Sequence, residues 1–179
     1  EGDVVECGVW KGGSSMLAAL TLQQLGDDRR CLWLYDTFEG MAAPSSADGP
    51  LAGEVYRAGP DDVTFAYSPL EEVRANMLGT GWPIERLRFV KGKVEDTVPA
   101  SVPDGPIALL RLDTDWYEST RHELAHLYPA LAPGGVLIID DYGYWQGARR
   151  AVDEWRAEVA DPPLLVRVDG SGRIGVKPG

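Results

Sequence analysis

The sequence predicts an α/β fold: a mostly parallel, seven-stranded sheet with helices on both faces and an antiparallel hairpin at its C-terminal edge. Three observations predict it. Short runs of aliphatic and β-branched residues alternate with segments whose apolar residues recur at helical spacing, the order from which parallel sheets are built. A glycine-rich turn, Gly8-Val9-Trp10-Lys11-Gly12-Gly13, follows the first run and opens a helical pattern. Near the C-terminus, Asp169-Gly170-Ser171-Gly172 separates two apolar runs and reads as a hairpin turn.

The first strand is 3–7. A helix follows over 14–25, with Ser14 and Ser15 where an N-cap is expected and Gly26-Asp27-Asp28 as its stop. The second strand, 31–35, ends at Asp36. From Thr37 to about Ser68 the chain is rich in Gly, Pro, Ser and Asp and shows little periodicity, so a long loop is expected, and such loops are usually functional. Residues 68–78 carry a helical pattern, with Ser68-Pro69 as cap and first turn and Glu71 and Glu72 at the positive end of its dipole. Strands are expected at 86–91, 107–112 and 136–139, the last entered through Pro133-Gly134-Gly135. Helices are expected at 119–131 and 147–159, and the hairpin strands at 164–168 and 172–177.

With 179 residues, 44% hydrophobic and 25% charged, the chain suits a single domain spanning 1–179. Its formal net charge of −11, from 28 acidic and 17 basic residues, comes with no basic stripe, so no nucleic-acid partner is expected. Cys7 and Cys31 fall in expected strands and form neither a metal spacing nor a disulfide framework. No apolar stretch approaches the roughly 20 residues that span a bilayer, and no leader pattern is present, so no membrane partner and a cytoplasmic location are expected. The chain starts almost inside its first strand, so an N-terminal lid segment is expected to be missing, and the sheet face left uncovered favours a homo-oligomer.

Three carboxylates end apolar runs: Asp113, Asp140 and Asp141. Strand ends are where open α/β sheets bind ligands, and adjacent parallel strands would gather these side chains into an oxygen-only site for a hard divalent cation. Without a cation they would repel one another and raise their own pKa values. Asp115 is a neighbouring candidate, although a strand ending at Asp113 leaves it free to point away. The glycine turn brings backbone N–H groups to the same end, with Glu6, Gly8, Gly12, Gly13 and Ser14 as candidate cofactor contacts. It lacks the G-x-G-x-x-G spacing, which disfavours a nicotinamide dinucleotide. Asp36 is placed to accept both hydroxyls of an adenosine ribose, or to serve as a cap or turn former. Asp96, with Glu95 as the alternative, is placed to meet an adenine amino group. His122 and His126 share a helix face at i,i+4 spacing but lack a third ligand, which favours packing or surface roles. Trp10, Trp116, Trp145 and Trp155 are expected to divide between core and site, and Tyr142, Tyr144 and Trp145 to wall an acceptor or simply be buried.

The segments VVECGVWKGGSS, LYDTFEGM, VKGKVEDTVP, LLRLDTDWYEST, LYPALAPGGVLIIDDYG and ARRAVDEW together resemble the macrocin O-methyltransferase family of the Rossmann-like, class I S-adenosylmethionine-dependent methyltransferases. The resemblance implies a methyl transfer from S-adenosylmethionine to a sugar hydroxyl of a natural product or nucleotide sugar, with a small sugar-bearing acceptor as partner. It also implies Mg²⁺ or another divalent cation on Asp113, Asp140 and Asp141, and Asp113 as the catalytic base, with a water relay as alternative. A catechol-type O-methyltransferase is the neighbouring reading. That group commonly has Asn as second residue of the pair and Lys three positions after the first metal Asp, where this chain has Asp141 and Trp116. A cofactor-binding module without catalysis is the reading from a different class.

Overall fold

A computed structural model describes residues 1–58 and 66–179. The seven strands are β1 (Asp3–Cys7), β2 (Leu32–Asp36), β3 (Leu87–Lys91), β4 (Ile107–Leu112), β5 (Leu131–Ile139), β6 (Val166–Arg167) and β7 (Arg173–Val176). They form one sheet in the order β3-β2-β1-β4-β5-β7-β6. β1 to β5 pair in parallel, and β7 runs antiparallel between β5 and β6. The expected α/β architecture is therefore present, C-terminal hairpin included.

Successive residues of β1 and β2 point to opposite faces, and both are covered, so the uncovered sheet face expected from the sequence is not found among the described residues. On one face Val4, Leu32 and Leu34 pack with Ala19 of α1 (Gly13–Gln24) and with Val73 and Met77 of α3 (Leu70–Gly79). On the other, Val5, Tyr35 and Leu110 pack with α4 (Val94–Thr97), α5 (Tyr117–His126) and α6 (Gln146–Glu158). Each such fully buried aliphatic side chain contributes about 1.5–3 kcal/mol.

Several boundaries differ from the sequence reading. The N-cap of α1 is Gly12, at φ 85°, because the Ser15 hydroxyl is turned inward to donate to Glu6. Gly26 does end this helix, in a Schellman arrangement in which Asp27 N–H donates to Leu22 O (2.9 Å) and Gly26 N–H to Gln23 O (3.0 Å). Cys31 lies just before β2 rather than in it. At α3 the cap is Pro69, and Ser68 donates instead to Glu72 (2.9 Å). Pro133-Gly134-Gly135 lies within β5 rather than before it. The pairing with β4 shifts there, from Ile107 opposite Leu131 to Leu109 opposite Val136, and Lys177 bonds the bulge by accepting from Gly134 and donating to Gly135 (both 2.9 Å). Helix α5 is shorter than expected and passes through a 3₁₀ turn, Tyr128–Ala130, into β5.

The largest difference is in the stretch expected to be a loop. Its described part contains a 3₁₀ turn, Ser46–Asp48, and a helix, α2 (Gly49–Ala58). Residues 59–65 of that expected loop lie outside the described residues. Ala52 of α2 is buried with Trp116, Trp145 and Ala148 in a small apolar cluster of its own. Gly53, in the middle of α2, weakens the intrinsic helical signal by about 1 kcal/mol, so the helix leans on this tertiary packing.

Candidate active site

A cavity of about 590 Å³ opens at the C-terminal ends of the parallel strands, where the sheet order reverses between β1 and β4. One half is walled by Gly8, Trp10, Asp36 and Thr37, which follow β1 and β2, and by Lys93 and Glu95 after β3. The other half is walled by Asp113, Asp115, Asp140, Asp141, Tyr144 and Trp145. Gly8 makes the junction possible. It sits at φ 79°, and a Cβ there would fall 1.9 Å from the Asp113 carbonyl oxygen, so only glycine lets the two strand ends approach.

Asp36 organises the first half. Its Oδ2 accepts from the N–H groups of Val9 (2.7 Å) and Trp10 (3.0 Å), and its Oδ1 from Phe38 N–H (2.7 Å). Trp10 and Phe38 are both left-handed, at φ 47° and 54°, and the carboxylate clips both turns. The turn-forming role is thus real, and Asp36 also faces the cavity. Of the other residues expected at the cofactor, Gly8 is on the wall. Glu6, Gly12, Gly13 and Ser14 are not, and Glu95 takes the wall position that the sequence reading gave to Asp96. Glu6 is buried beneath the site, where Ser15 donates to it and Arg111 pairs with it (2.9 Å).

The second half holds the acids. Asp113 follows β4, Asp140 and Asp141 follow β5, and one oxygen from each lies within 4.8 Å of the others. An all-carboxylate donor set of this kind fits a hard divalent cation such as Mg²⁺ and is unsuited to soft metals. Asp115 does not point away. It adopts φ 67°, its N–H donates to Asp141 Oδ2 (3.1 Å), and its Oδ1 accepts from Trp145 Nε1 (2.6 Å). Trp116 and Trp145 meet edge to face at 4.9 Å, a pairing worth about 0.5–1.5 kcal/mol beyond burial, and Tyr144 meets Trp145 at 4.8 Å. Trp155 is a core residue against Tyr128, and Tyr142 is turned to Asp153, off the cavity.

A profile of the macrocin O-methyltransferase family, TylF, matches residues 1–174. The chain belongs to this family. It is 41% identical over 171 residues to an O-methyltransferase of Streptomyces olivaceus that acts at the 4' position of 8-demethyl-8-(2,3-dimethoxy-alpha-L-rhamnosyl)-tetracenomycin-C, covering 96% of this chain and 64% of the relative. It is 34% identical to the mycinamicin III 3''-O-methyltransferase of Micromonospora griseorubida, covering 96% and 66%. The solved structure of the O-methyltransferase NovP superposes with a TM-score of 0.88 at 34% identity, over all of this chain and 73% of that one. The chain thus spans less than two thirds of the length of these curated relatives.

Electrostatically, this TylF-family site is crowded with like charge. Burial pushes Asp113 up to about 8; Arg111 opposes the rise, and Asp141 and Asp140 add to it. Burial and then Asp113 push Asp115 up to about 7, and burial and then Asp115 hold Asp141 well above the carboxylate range. A bound divalent charge would reverse this crowding. Arg111 of β4 was missed in the sequence reading. Its Nη1 donates to Glu6 (2.9 Å) and Asp113 (2.7 Å), and its Nη2 pairs with Asp140 Oδ1 (3.1 Å). The available signal was the two-residue spacing of Arg111 and Asp113, which puts both on one face. Asp48 was also missed: its Oδ1 accepts from Tyr117 N–H (2.6 Å), tying the segment before α2 to the start of α5. His122 and His126 donate to the carbonyls of Val98 and His122 and stack on each other, apart from any acidic cluster among the described residues.

Proposed function

We propose that this chain carries the methyl-transfer site of a divalent-cation-dependent O-methyltransferase that uses S-adenosylmethionine to methylate a sugar hydroxyl, on a natural product or a nucleotide sugar. The observation that carries this reading is the single cavity wall on which the glycine turn and Asp36 stand opposite the three clustered carboxylates. Family membership and the printed activities of the relatives support it.

When bound, S-adenosylmethionine supplies a sulfonium methyl group, and a divalent cation supplies Lewis acidity that lowers the pKa of a coordinated hydroxyl. The chain's own residues do the rest. Asp36, kept facing the cavity by three backbone amides, is placed for the ribose, and Glu95 for the adenine. Asp113, Asp140 and Asp141 would hold the cation, Mg²⁺ being the natural choice for this donor set. Asp113 has one oxygen bound to Arg111, and as a ligand it would commit the other, which leaves it a poor base. Asp115 is the better proton acceptor: it lines the cavity beside the cluster, and Trp145 fixes its carboxylate. Tyr144, exposed beside the cluster, offers a sugar an aromatic surface, with Trp145 packed behind it.

The test is methyl transfer from labelled S-adenosylmethionine to a panel of sugar-bearing acceptors, with and without chelator. Transfer abolished by chelator and restored by Mg²⁺ is expected. Transfer indifferent to chelator would remove the cation from the mechanism. S-adenosylmethionine binding with no transfer to any acceptor, and an Asp140→Ala variant indistinguishable from the parent, would leave a binding module without catalysis.

A further inference from the structure

Glu6 does not reach the cavity, yet it is a buried carboxylate at the end of β1, and burial raises its pKa against the pull of Arg111 and Ser15. Its partners explain its place. Ser15 donates to one Glu6 oxygen and Arg111 Nη1 to the other; the same Nη1 continues to Asp113 Oδ2, while Nη2 reaches Asp140 Oδ1. A chain of contacts, Ser15 to Glu6 to Arg111, therefore runs from the first turn of α1, beneath the sheet end, to two of the three clustered carboxylates. The guanidinium is itself largely buried, with a side-chain exposure of 16%. A planar guanidinium whose Nη1 is shared between Glu6 and Asp113 and whose Nη2 meets Asp140 restrains the orientation of both cluster carboxylates.

We propose that Arg111, anchored by Glu6, is a positioning residue that pre-sets Asp113 and Asp140 as cation ligands. This rests on the cation site proposed above. Each of the two carboxylates has one oxygen spent on Arg111 and keeps its other oxygen for the ion, so little orientation is left to be ordered when the ion arrives. Ligand geometry held by a fixed outer group is how metal sites gain affinity, and loss of such a group typically costs 10–100-fold. A competing effect has the opposite sign. Arg111 is a positive charge beside the ion, and by Coulomb repulsion alone its removal would tighten binding. Positioning is expected to win, because without Arg111 no two-armed donor holds Asp113 and Asp140 in place before the ion arrives.

The experiment is Mn²⁺ binding to the protein alone, followed by calorimetry and by loss of the free-ion electron paramagnetic signal, with no methyl donor or acceptor present. Arg111→Lys is the decisive variant, since it keeps the charge and loses the planar two-armed grip. Binding weakened about tenfold or more in Arg111→Lys and in Arg111→Met, with a smaller loss in Glu6→Gln and unchanged circular dichroism, supports positioning. Arg111→Lys binding as tightly as the parent, or Arg111→Met binding more tightly, overturns it. Should Arg111→Met fail to fold, Arg111→Lys and Glu6→Gln carry the test. A parent protein that binds no Mn²⁺ overturns both this proposal and the cation site, whereas unaltered variants beside a binding parent sink the positioning role alone.

Discussion

Asp115 is held in a left-handed backbone conformation that a non-glycine residue adopts only at a cost of about 1–3 kcal/mol. The turn that imposes it brings the residue back onto the cluster, its N–H donating to Asp141 and its carboxylate accepting from Trp145. Asp115→Asn preserves size and the Trp145 bond, so it is expected to lower kcat by about 10²- to 10⁴-fold while leaving Mn²⁺ and S-adenosylmethionine affinities near those of the parent. Steady-state kinetics beside equilibrium binding check this. A variant that loses Mn²⁺ affinity instead would make Asp115 a ligand. The three strand-end acids were legible as residues because their chemistry needs only placement after apolar runs. Asp115 was not, because its direction depends on a turn whose φ no spacing rule supplies. Arg111 was hidden for a related reason: inside an apolar strand its alternation reads as a sheet face, and only the neighbours from β1 and β5 give it partners.

Helix α2 shows the same limit at the scale of an element. Its sequence, GPLAGEVYRA, has a favourable proline in the first turn and a mid-helix glycine, Gly53, that argues against a helix. What decides is the seam it makes with α5 and α6. Asp48, just before α2, bonds Tyr117 N–H and lies so close to α6 that a Cβ on Gly147 would fall 1.9 Å from its Oδ1. Gly147→Ala is therefore expected to destabilise by about 1–3 kcal/mol through overpacking. At about 2–4 °C per kcal/mol for a chain of this size, that is a fall in Tm of roughly 2–12 °C. Gly53→Ala, in the middle of α2 with Arg57 Nη1 the nearest atom at 3.7 Å, has the opposite expectation, a gain of about 0.5–1 kcal/mol. Thermal melts of the two variants side by side check both signs. Equal shifts would refute the seam.

For the whole molecule, the informative charge is Glu123, fully buried on α5. Desolvation raises its pKa well above the usual range, with Glu95 and Asp141 adding to the rise and hydrogen bonds from Thr114 and Cys7 opposing it. Such a group binds more protons in the folded than in the unfolded chain, so stability is greatest below the unfolded pKa of about 4.3 and falls as pH rises toward the raised folded value. Glu6 shifts in the same direction. Glu123→Gln removes one proton uptake from the folded state. Its Tm relative to the parent, measured with chelator present, is expected to grow more favourable as pH rises above about 4.5. A difference that stays constant with pH would mean that Glu123 is ionised in the fold. This coupling was invisible in the sequence, where Glu123 reads as an ordinary polar position on a helix.

What the sequence by itself determined is local in character: the alternation of strands and helices, the glycine turn, the closing hairpin and the acids at the strand ends. These follow from side-chain periodicity and from what glycine and carboxylate can do wherever they stand. The tertiary structure decided which of those groups meet. It placed Glu95 rather than Asp96 on the cavity wall, gave Asp36 a turn to clip, folded Asp115 back onto the cluster, and set Arg111 between Glu6, Asp113 and Asp140. The physical reason is that a carboxylate's role here depends on charges and donors contributed by other strands, and those become neighbours only when the sheet assembles.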